Sequence, residues 1–265
     1  MTRMHRTVLA LVYVAAAAAP SRAADDPLAR ARQLYNQHQY EAAVAAAEQA
    51  RQMPARADAA DLVAARAYLE RFRASAASDD LTNARDRLRR LDPQRLGPRE
   101  RMEYVVGLGE TLFFDGVYGA AATVFDSVLQ SRDVLAGDAR ERVLDWWASA
   151  LDREARPRSD IDRQPVYLRI RARMEGELAT HSGSATAAYW LAAAARAQGD
   201  VQAAWDAAQA AWVRSALTTD RGAALREDLD RLVLRGIVPD RARASAQSPD
   251  TLRAQWEQFK ERWKR

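Results

Sequence analysis

The stretch that decides the fold is residues 103–130, EYVVGLGETLFFDGVYGAAATVFDSVLQ. Its apolar residues form two runs, each repeating near the 3.6-residue period of an α-helix, and the runs meet at Asp115-Gly116. Two small residues, Gly109 and Ala121, stand where the helices would cross, so the two backbones could approach closely. The stretch therefore predicts two helices that pack as a hairpin about a glycine turn.

Two further stretches show a similar pattern. Residues 184–215 contain two alanine-rich apolar runs separated by Gly199-Asp200. Residues 25–51 contain two such runs as well, but His38 stands where the other hairpins have the glycine of the turn. Residues 59–91 give a degenerate version with a capping cluster at residues 78–80. Because alanine favours helix, the chain is predicted to be all-α and repetitive.

The segment after the deciding hairpin is less regular. Residues 138–153 have core spacing and are predicted to form a helix. Residues 156–165, RPRSDIDRQP, contain two prolines and no apolar stripe, so we predict an inserted loop. Helical spacing returns over residues 165–180, which are predicted to form the next helix.

Two helices are predicted near the C-terminus. The first covers residues 220–235, is capped by Thr219 or Asp220 and is closed by Gly236. The second starts at Ser248-Pro249, where a serine cap precedes a proline at the first helical position. Its apolar stripe consists of Leu252, Trp256, Phe259 and Trp263.

The hairpin positions resemble the tetratricopeptide (TPR) repeat. In the deciding hairpin the matching residues are Leu108, Gly109, Gly116, Tyr118, Ala121 and Phe125. In the other two they are Tyr40 and Ala43, and Leu191, Ala192, Gly199, Ala204, Ala208 and Ala211. The resemblance implies a right-handed solenoid of about five antiparallel helical hairpins over residues 24–216. It also implies a C-terminal helical cap over residues 217–265, because the last repeat otherwise leaves an apolar face open.

Residues 1–23 have the composition of a secretory signal peptide. Arg3, His5 and Arg6 give a basic start, residues 7–19 are uninterruptedly apolar, and Pro20 ends the run. We expect cleavage near Ala23, export to the periplasm or beyond, and no stable membrane span afterwards. The alternative is a retained helix that is buried or touches a membrane.

Charge argues against a nucleic-acid partner. The chain has 40 basic and 36 acidic residues, but three of the basic residues and none of the acidic ones lie in residues 1–23. Without that segment 37 basic residues face 36 acidic ones, a net charge of +1. A nearly neutral chain lacks the positive electrostatic potential that attracts the phosphate backbone of a nucleic acid. Nearly all the cations are arginines, which favour bidentate pairs with carboxylates on a helical surface.

The sequence contains no pattern that predicts catalysis or a metal site. There is no cysteine, and His38 and His181 are the histidines that remain after signal removal, so an ordinary zinc site is not expected. No Gly-x-Ser-x-Gly or phosphate-binding loop occurs. Glu103 and Glu110, seven residues apart, share one helical face and could meet a basic group of a ligand. We therefore predict no catalytic residue and no cofactor.

The TPR resemblance implies that the first helices of successive hairpins line a concave binding groove. Residue by residue, it places there Arg32, Tyr35, Asn36, Glu110, Phe113, Phe114, Tyr189, Trp190 and Arg196, and, with a register that is only inferred, Trp146, Ser149 and Arg153. Aromatic rings flanked by arginine and glutamate suit an extended peptide or a helix of a partner protein. They also suit sugar rings, and several of the aromatic residues could instead be buried between helices.

The leading hypothesis is a non-catalytic interaction scaffold of the cell envelope that binds a peptide or partner protein of unstated identity. The alternative is a periplasmic hydrolase or carbohydrate-binding helical protein that uses the loop at residues 156–165 and nearby acids. A third hypothesis is self-assembly through the C-terminal stripe, where the last helix docks a partner rather than closing the fold. The sequence leaves the oligomeric state open.

Overall fold

The chain folds almost entirely into helices. The computed structural model describes residues 26–131, 135, 137–218 and 222–264. Within these ranges there is no β-strand. The predicted signal peptide and the predicted cap at Thr219 or Asp220 lie outside the described residues. The expected all-α class is confirmed, and no helix in the described ranges is long and apolar enough to cross a membrane.

The helices follow one another with short connections. They are α1 (Pro27–Asn36), α2 (Tyr40–Arg51), α3 (Ala57–Ser75), α4 (Ser78–Arg90), α5 (Pro98–Phe114), α6 (Tyr118–Gln130), α7 (Asp138–Ala155), α8 (Asp160–Thr180), α9 (Ala185–Ala197), α10 (Val201–Ser215), α11 (Ala223–Leu232), α12 (Val238–Ser245) and α13 (Pro249–Arg262). Short 3-10 turns, Pro54–Arg56 and Pro93–Arg95, precede α3 and α5. A π-helical segment, Val233–Ile237, joins α11 and α12 into one continuous helix.

Each helix packs on its neighbour in sequence, which makes consecutive helical hairpins. The odd-numbered helices from α1 to α11 also pack against one another in order. Each even-numbered helix from α2 to α10 contacts the odd-numbered helix of the following pair as well. Contacts that run mainly between adjacent hairpins give a helical repeat-like all-α architecture. The odd-numbered helices from α1 to α11 therefore adjoin one another in sequence order.

Three hairpins share one turn geometry. His38, Gly116 and Gly199 each occupy the middle of a three-residue connection in the left-handed conformation, with φ of 59°, 78° and 81°. In each turn the next amide donates a hydrogen bond to a carbonyl five residues earlier. These bonds are Gln39 N to Leu34 O, Val117 N to Leu112 O and Asp200 N to Ala195 O, all at 2.9 Å. This is the helix C-cap arrangement in which glycine is favoured. The left-handed backbone conformation is less favourable for a residue with a side chain, so His38 destabilises its turn relative to glycine.

The small residue expected at a helix crossing is found at Gly109. A Cβ added to Gly109 of α5 would lie 2.6 Å from Cε1 of Phe125 on α6. Phe125 is fully buried, so the missing side chain allows its ring to sit on the α5 backbone. Ala121 is buried as well, and this crossing anchors the large central core cluster.

The prediction that residues 156–165 form an inserted loop is wrong. Helix α8 begins at Asp160, and Pro165 lies inside it. The oxygen of Ser159 accepts a hydrogen bond from the Asp162 amide, and two aspartates in the first turn favour the helix N-terminus. Proline at the sixth helical position removes one backbone hydrogen bond near this end, and the capped start compensates. The predicted helix over residues 165–180 is confirmed as the rest of α8.

The prediction that Gly236 ends a helix is also wrong. Gly236 is buried inside the π-helical segment, and the helix continues to Ser245. A Cβ at Gly236 would lie 2.6 Å from Nε of Arg196, which pairs with Asp240 at 2.8 Å. The glycine is therefore explained by close side-chain packing rather than by a helix stop.

The last helix belongs to the core. The Ser248 oxygen caps α13 by accepting from the Thr251 amide at 3.1 Å, as predicted. Leu252, Trp256 and Phe259 are buried in one cluster with residues of α9 to α12. The fourth member of the predicted stripe differs, because the helix ends at Arg262 and Trp263 is 45% exposed.

Candidate binding groove

Two adjoining cavities lie among the odd-numbered helices α1 to α7, and together they are called the groove. The first cavity, about 340 Å³, lies between α1, α3 and α5, and the second, about 360 Å³, continues to α7. The residues that line both are Tyr35, Arg66, Arg99 and Glu103. Apart from Leu135, every lining residue of the two cavities belongs to one of these four helices.

Helical spacing explains which side chains reach the groove. On α5 the residues Arg99, Glu103, Val106 and Glu110 recur at three- or four-residue intervals and so share one face. The same intervals occur on α3, from Ala59 to Glu70, and on α7, from Ala139 to Trp146. One stripe of side chains from each of these helices therefore lines the cavities, together with Arg32, Tyr35 and Asn36 of α1.

Ion pairs tie the helices together at the groove. Arg66 Nη1 lies 2.7 Å from Glu103 Oε2, joining α3 to α5. Arg99 Nε donates to the same carboxylate at 3.2 Å. Arg32 of α1 pairs with Glu100 of α5. These pairs are partly exposed, and their main effect is to hold the groove-lining side chains in fixed positions.

Tyr35 forms part of the wall shared by the two cavities. The Arg66 guanidinium carbon lies 4.3 Å from the centre of the Tyr35 ring, and the hydroxyl donates to Glu70 Oε1 at 3.5 Å. Burial raises the pKa of Tyr35 to about 12, so the hydroxyl stays protonated and acts as a donor at neutral pH.

An aromatic cluster closes the α7 end of the groove. The Trp146 ring packs edge-on against Phe113 at 4.7 Å and Phe114 at 5.4 Å between centroids. Arg73 of α3 lies over the Trp146 ring, with its guanidinium carbon 5.3 Å from the ring centre. Aromatic packing of this kind fixes the Trp146 ring as a rigid wall.

Glu110 lines the second cavity and is half-buried. Burial, reinforced by the nearby charge of Glu70, raises the pKa of Glu110 to about 7, and this outweighs the opposite effect of Arg73, Arg66 and Arg142. Within the described ranges Glu110 forms no hydrogen bond and no ion pair. Arg142, which lines the same cavity, is exposed and likewise forms neither there.

Most of the groove residues predicted on α1, α5 and α7 fall into two groups, while Ser149 lines neither cavity. Arg32, Tyr35, Asn36, Glu110 and Trp146 line the two cavities. Phe113 and Phe114 contact Trp146, and Arg153 lies over Phe113 with its guanidinium carbon 5.1 Å from the ring centre, so these three adjoin the cavities without lining them.

The residues predicted on α9 lie elsewhere. Trp190 is buried, and its Nε1 donates to Asp145 Oδ1 of α7 at 2.8 Å. Arg196 pairs with Asp240, and Tyr189 is half-buried. Burial raises the pKa of Tyr189 to about 12, and the acids Asp228 and Asp145 add to the rise. A binding role for these α9 residues stays a prediction.

Sequence reasoning missed the contribution of α3, which supplies Arg66 and Glu70. Helix α3 is buried around most of its circumference, since Ala60, Leu62 and Ala64 are all inaccessible. No single apolar stripe therefore shows which side faces the groove. The pairing of Arg66 with Glu103 spans 37 residues and has no local sequence signal.

The serine and histidine near the start of α9 have structural partners. His181 Nδ1 lies 2.9 Å from Glu177 Oε1, and Ser184 caps α9 by accepting from the Ala187 amide at 3.0 Å. In the part of the chain that the structure describes, no serine hydroxyl lies within hydrogen-bonding distance of His181. In the same part, no three histidine, aspartate or glutamate side chains gather in a way that could hold a metal ion.

Comparisons of the chain with protein-family models, with curated proteins and with solved structures give no match. The TPR resemblance thus rests on the hairpin positions of this sequence alone. The groove, with its fixed aromatic and charged walls, is the feature from which a function can be inferred.

Proposed function

We propose that this protein is a non-catalytic interaction scaffold, a TPR-like solenoid of helical hairpins that binds an extended segment of a partner protein in the groove. The observation that carries the proposal is that four successive odd-numbered helices line two adjoining cavities. Packed aromatic walls beside ordered ion pairs supply both apolar area and fixed polar groups, which is the composition of peptide-binding surfaces.

The proposed setting is the periplasm or another compartment of the cell envelope. It is supported by the basic and apolar composition of residues 1–23, which is that of a secretory signal peptide. Expression in a bacterial host followed by mass measurement of the exported protein tests this setting. A mature N-terminus at Ala24 supports it, and a cytoplasmic protein that retains Met1 contradicts it.

Site-specific photocrosslinking tests the scaffold. A photoreactive residue is placed at Asn36, which is exposed at the first cavity, or at Gln49, which is exposed on α2 outside the groove. In an envelope fraction from the source cells, we expect a discrete adduct with one protein from position 36 and none from position 49.

Competition identifies the groove as the binding surface. Unlabelled protein should suppress the adduct, whereas the double variant Arg99→Glu/Arg142→Glu should fail to do so. Both arginines are exposed groove residues, so the variant is expected to fold. The matched control, Arg89→Glu/Arg90→Glu, makes the same charge change at exposed positions of α4 and should compete normally. Equal competition by the two variants, or no adduct specific to position 36, would contradict the proposal.

A further inference from the structure

Helix α8 carries a line of apolar residues on its solvent-facing side. The side chains that it buries are Tyr167, Ile170, Met174 and Glu177. On the opposite side, exposed apolar residues recur at three- or four-residue intervals, so they form one stripe along the helix. This α8 stripe consists of Ile161, Pro165, Leu168, Ala172, Gly176 and Ala179.

The α8 stripe differs from the exposed face of another even-numbered helix. The exposed residues of α4 are all polar, namely Ser78, Asp79, Thr82, Asn83, Asp86, Arg89 and Arg90. On α8, by contrast, Ile161 is 83% exposed and Leu168 is 57% exposed. Single apolar side chains are common on protein surfaces, but a continuous line of them marks an interaction surface.

The α8 stripe changes in side-chain size along its length. Its first three residues are bulky, and its last three are alanine, glycine and alanine. A Cβ added to Gly176 would meet no atom within 4 Å, so the space above the helix backbone is open there. Beside it, a hollow of about 540 Å³ is lined in part by Ala172 and Gly176 of α8 and by Leu129 and Gln130 of α6. One helix therefore carries both a ridge and a depression.

The partner that fits such a surface is a second copy of the same chain. When two α8 helices pack antiparallel with Ala172 on a two-fold axis, Leu168 of one copy lies opposite Gly176 of the other. In the same arrangement Pro165 lies opposite Ala179, and the axis makes each contact occur twice. The alanine on the axis lets the two backbones approach closely, so the bulky half of each stripe fills the small half of the other.

The pairing extends past the end of the helix. In this arrangement Ile161 lies opposite Gly183, which follows α8 in the chain. Leu217 is 73% exposed there, and its Cδ1 lies 3.4 Å from the position of a Cβ added to Gly183. The third bulky side chain of the stripe thus meets an exposed apolar side chain of the other copy.

The charged residues beside the stripe are compatible with this pairing. Across the two-fold axis like flanks of the two helices face each other, so the flank of Arg171 and Glu175 faces itself. Position 173 lies opposite Arg171, and Glu175 is two residues, about 3 Å, further along, so each Glu175 can reach Arg171 of the other copy. On the other flank Arg169 and Arg173 both pair with Asp126 of their own chain, so neither is left unpaired.

We propose that the α8 stripe is the interface of a homodimer in which two α8 helices pack antiparallel about a two-fold axis at Ala172. Removal of the stripe from water drives the association. The proposal goes beyond the proposed function, since α8 lines neither cavity of the groove. Each dimer carries two grooves, which lets it bind two partner segments at once.

Thiol cross-linking tests the position of the axis. The chain contains no cysteine, so Ala172→Cys supplies one thiol per copy. Two such thiols join only when the copies pair about this position, because a disulfide requires Cα atoms within about 7 Å of each other. With diamide as the oxidant, we expect a covalent dimer from Ala172→Cys and none from Asn83→Cys, at an exposed position of α4.

Sedimentation equilibrium of the full chain, purified after export, measures the association itself. Two paired helices bury less than a standard interface of about 1,600 Å², so we expect a micromolar dissociation constant and use samples up to about 100 μM. Leu168→Glu should raise the dissociation constant at least about 100-fold, because each carboxylate would be buried against an apolar surface. Thr82→Glu, at an exposed position of α4, should leave it unchanged.

A mixture of two variants tests the register of the pair. Gly176→Lys should also prevent dimerisation, since each lysine would meet Leu168 of the other copy, although its Cβ has open space within its own chain. When Leu168→Glu and Gly176→Lys are mixed, one contact places glutamate opposite lysine and the other keeps the original pair. We therefore expect the equimolar mixture to form a heterodimer that neither variant forms alone.

Several results would overturn the proposal. A parent protein that stays monomeric at the highest concentration would do so, as would equal cross-linking of Ala172→Cys and Asn83→Cys. A dimer that Leu168→Glu leaves unchanged would place the interface on another surface. Failure of the mixture to associate would mean that the stripe meets a different arrangement or a different protein. Circular dichroism checks that both variants are as helical as the parent, and the cross-link decides the question should either be unfolded.

Discussion

Gly109 of α5 lies directly against the ring of Phe125 on α6, with room for a hydrogen atom but not for a methyl group. This contact sets the distance between the two helices of the central hairpin. Glu103 and Glu110, on the same helix α5, line the groove. The close contact at the helix crossing therefore also fixes where these two side chains lie.

Gly109→Ala should destabilise the protein. The added Cβ would meet two further carbons of the Phe125 ring at 2.8 and 3.0 Å, and overpacking of a buried ring costs about 1–3 kcal/mol. The matched control is Gly176→Ala on α8, where the new Cβ meets nothing within 4 Å and helix propensity should stabilise by about 1 kcal/mol. Urea unfolding of both variants checks the prediction, and a stabilised Gly109→Ala would refute the packing.

Glu110→Gln should change how stability depends on pH. The pKa of Glu110 is raised from 4.5 to about 7, so the folded state binds the proton more tightly than the unfolded state. The parent therefore loses stability as the pH rises from 4.5 to 7, by on the order of 3 kcal/mol. The neutral variant lacks this loss and should match the parent at about pH 4, below the unfolded pKa, but exceed it at pH 8. Urea unfolding at the two pH values measures the difference, and a constant difference would count against the raised pKa.

Arg140→Met should be strongly destabilising at pH 7. Burial alone would raise the pKa of Glu177, but the two-bond contact with Arg140 at 2.7 and 2.8 Å outweighs it and holds that pKa below its usual value. Removing one member of a buried ion pair costs about 3–5 kcal/mol. The stabilisation is present at neutral pH and is lost as the pH falls through the lowered pKa, so the variant and parent should converge in acid.

The double variant Arg140→Met/Glu177→Leu is the control for that ion pair. It leaves no unpaired charge, so it should recover most of the stability that the single variant loses. Thermal unfolding of parent, single and double variants gives the comparison. A double variant as unstable as Arg140→Met would mean that the arginine acts mainly through packing.

Trp256→Ala should unfold the C-terminal part of the chain. Trp256 is fully buried against Trp205 and Trp212, and truncation of such a ring costs about 3–5 kcal/mol. Trp263→Ala should change stability by no more than about 0.5 kcal/mol, because that ring is largely exposed. Tryptophan fluorescence and urea unfolding measure both. If Trp256→Ala instead lowered the oligomeric state and left stability unchanged, the helix would be a docking element.

His38→Gly should stabilise the first hairpin. His38 adopts φ of 59°, where a side chain costs about 1–2 kcal/mol and glycine does not. The loss of the contact between His38 Nδ1 and the Tyr40 hydroxyl at 2.7 Å reduces the gain, which we expect to be about 0.5–1 kcal/mol. Gly199→Ala, at the equivalent turn, should destabilise by about 1 kcal/mol. The midpoints of thermal unfolding should move in opposite directions.

The hairpins were predictable because their signals are local. A glycine turn at Gly116 or Gly199 is flanked on each side by an apolar run of helical period. Both helices and their connection can therefore be predicted from a stretch of about 30 residues. The same reasoning placed Tyr35, Glu110 and Trp146 on first helices, and these residues do line one cavity.

Features that depend on distant partners were not predictable. The ion pair of Arg196 with Asp240 spans 44 residues, and the hydrogen bond from the buried Trp190 to Asp145 spans 45. Pro165 was misleading for the opposite reason, because a strong local signal for a break was overridden by the cap at Ser159. The spacing of apolar residues along the chain shows neither which distant residues pair nor how a helix cap offsets a proline inside the helix.

The π-helical segment at Val233–Ile237 makes chain length matter as much as composition. It holds one residue more per turn than an α-helix, and each α-helical residue turns the helix by about 100°. A π-helical turn accommodates one extra residue, so deleting one residue from the segment would return it to α-helical geometry and leave the elements on either side in register. Inserting a further residue would instead turn the rest of the helix by about 100°, so Asp240 would leave Arg196 and Val238 would leave the core. A lineage that carries this protein should therefore accept a single deletion in this segment more readily than an insertion.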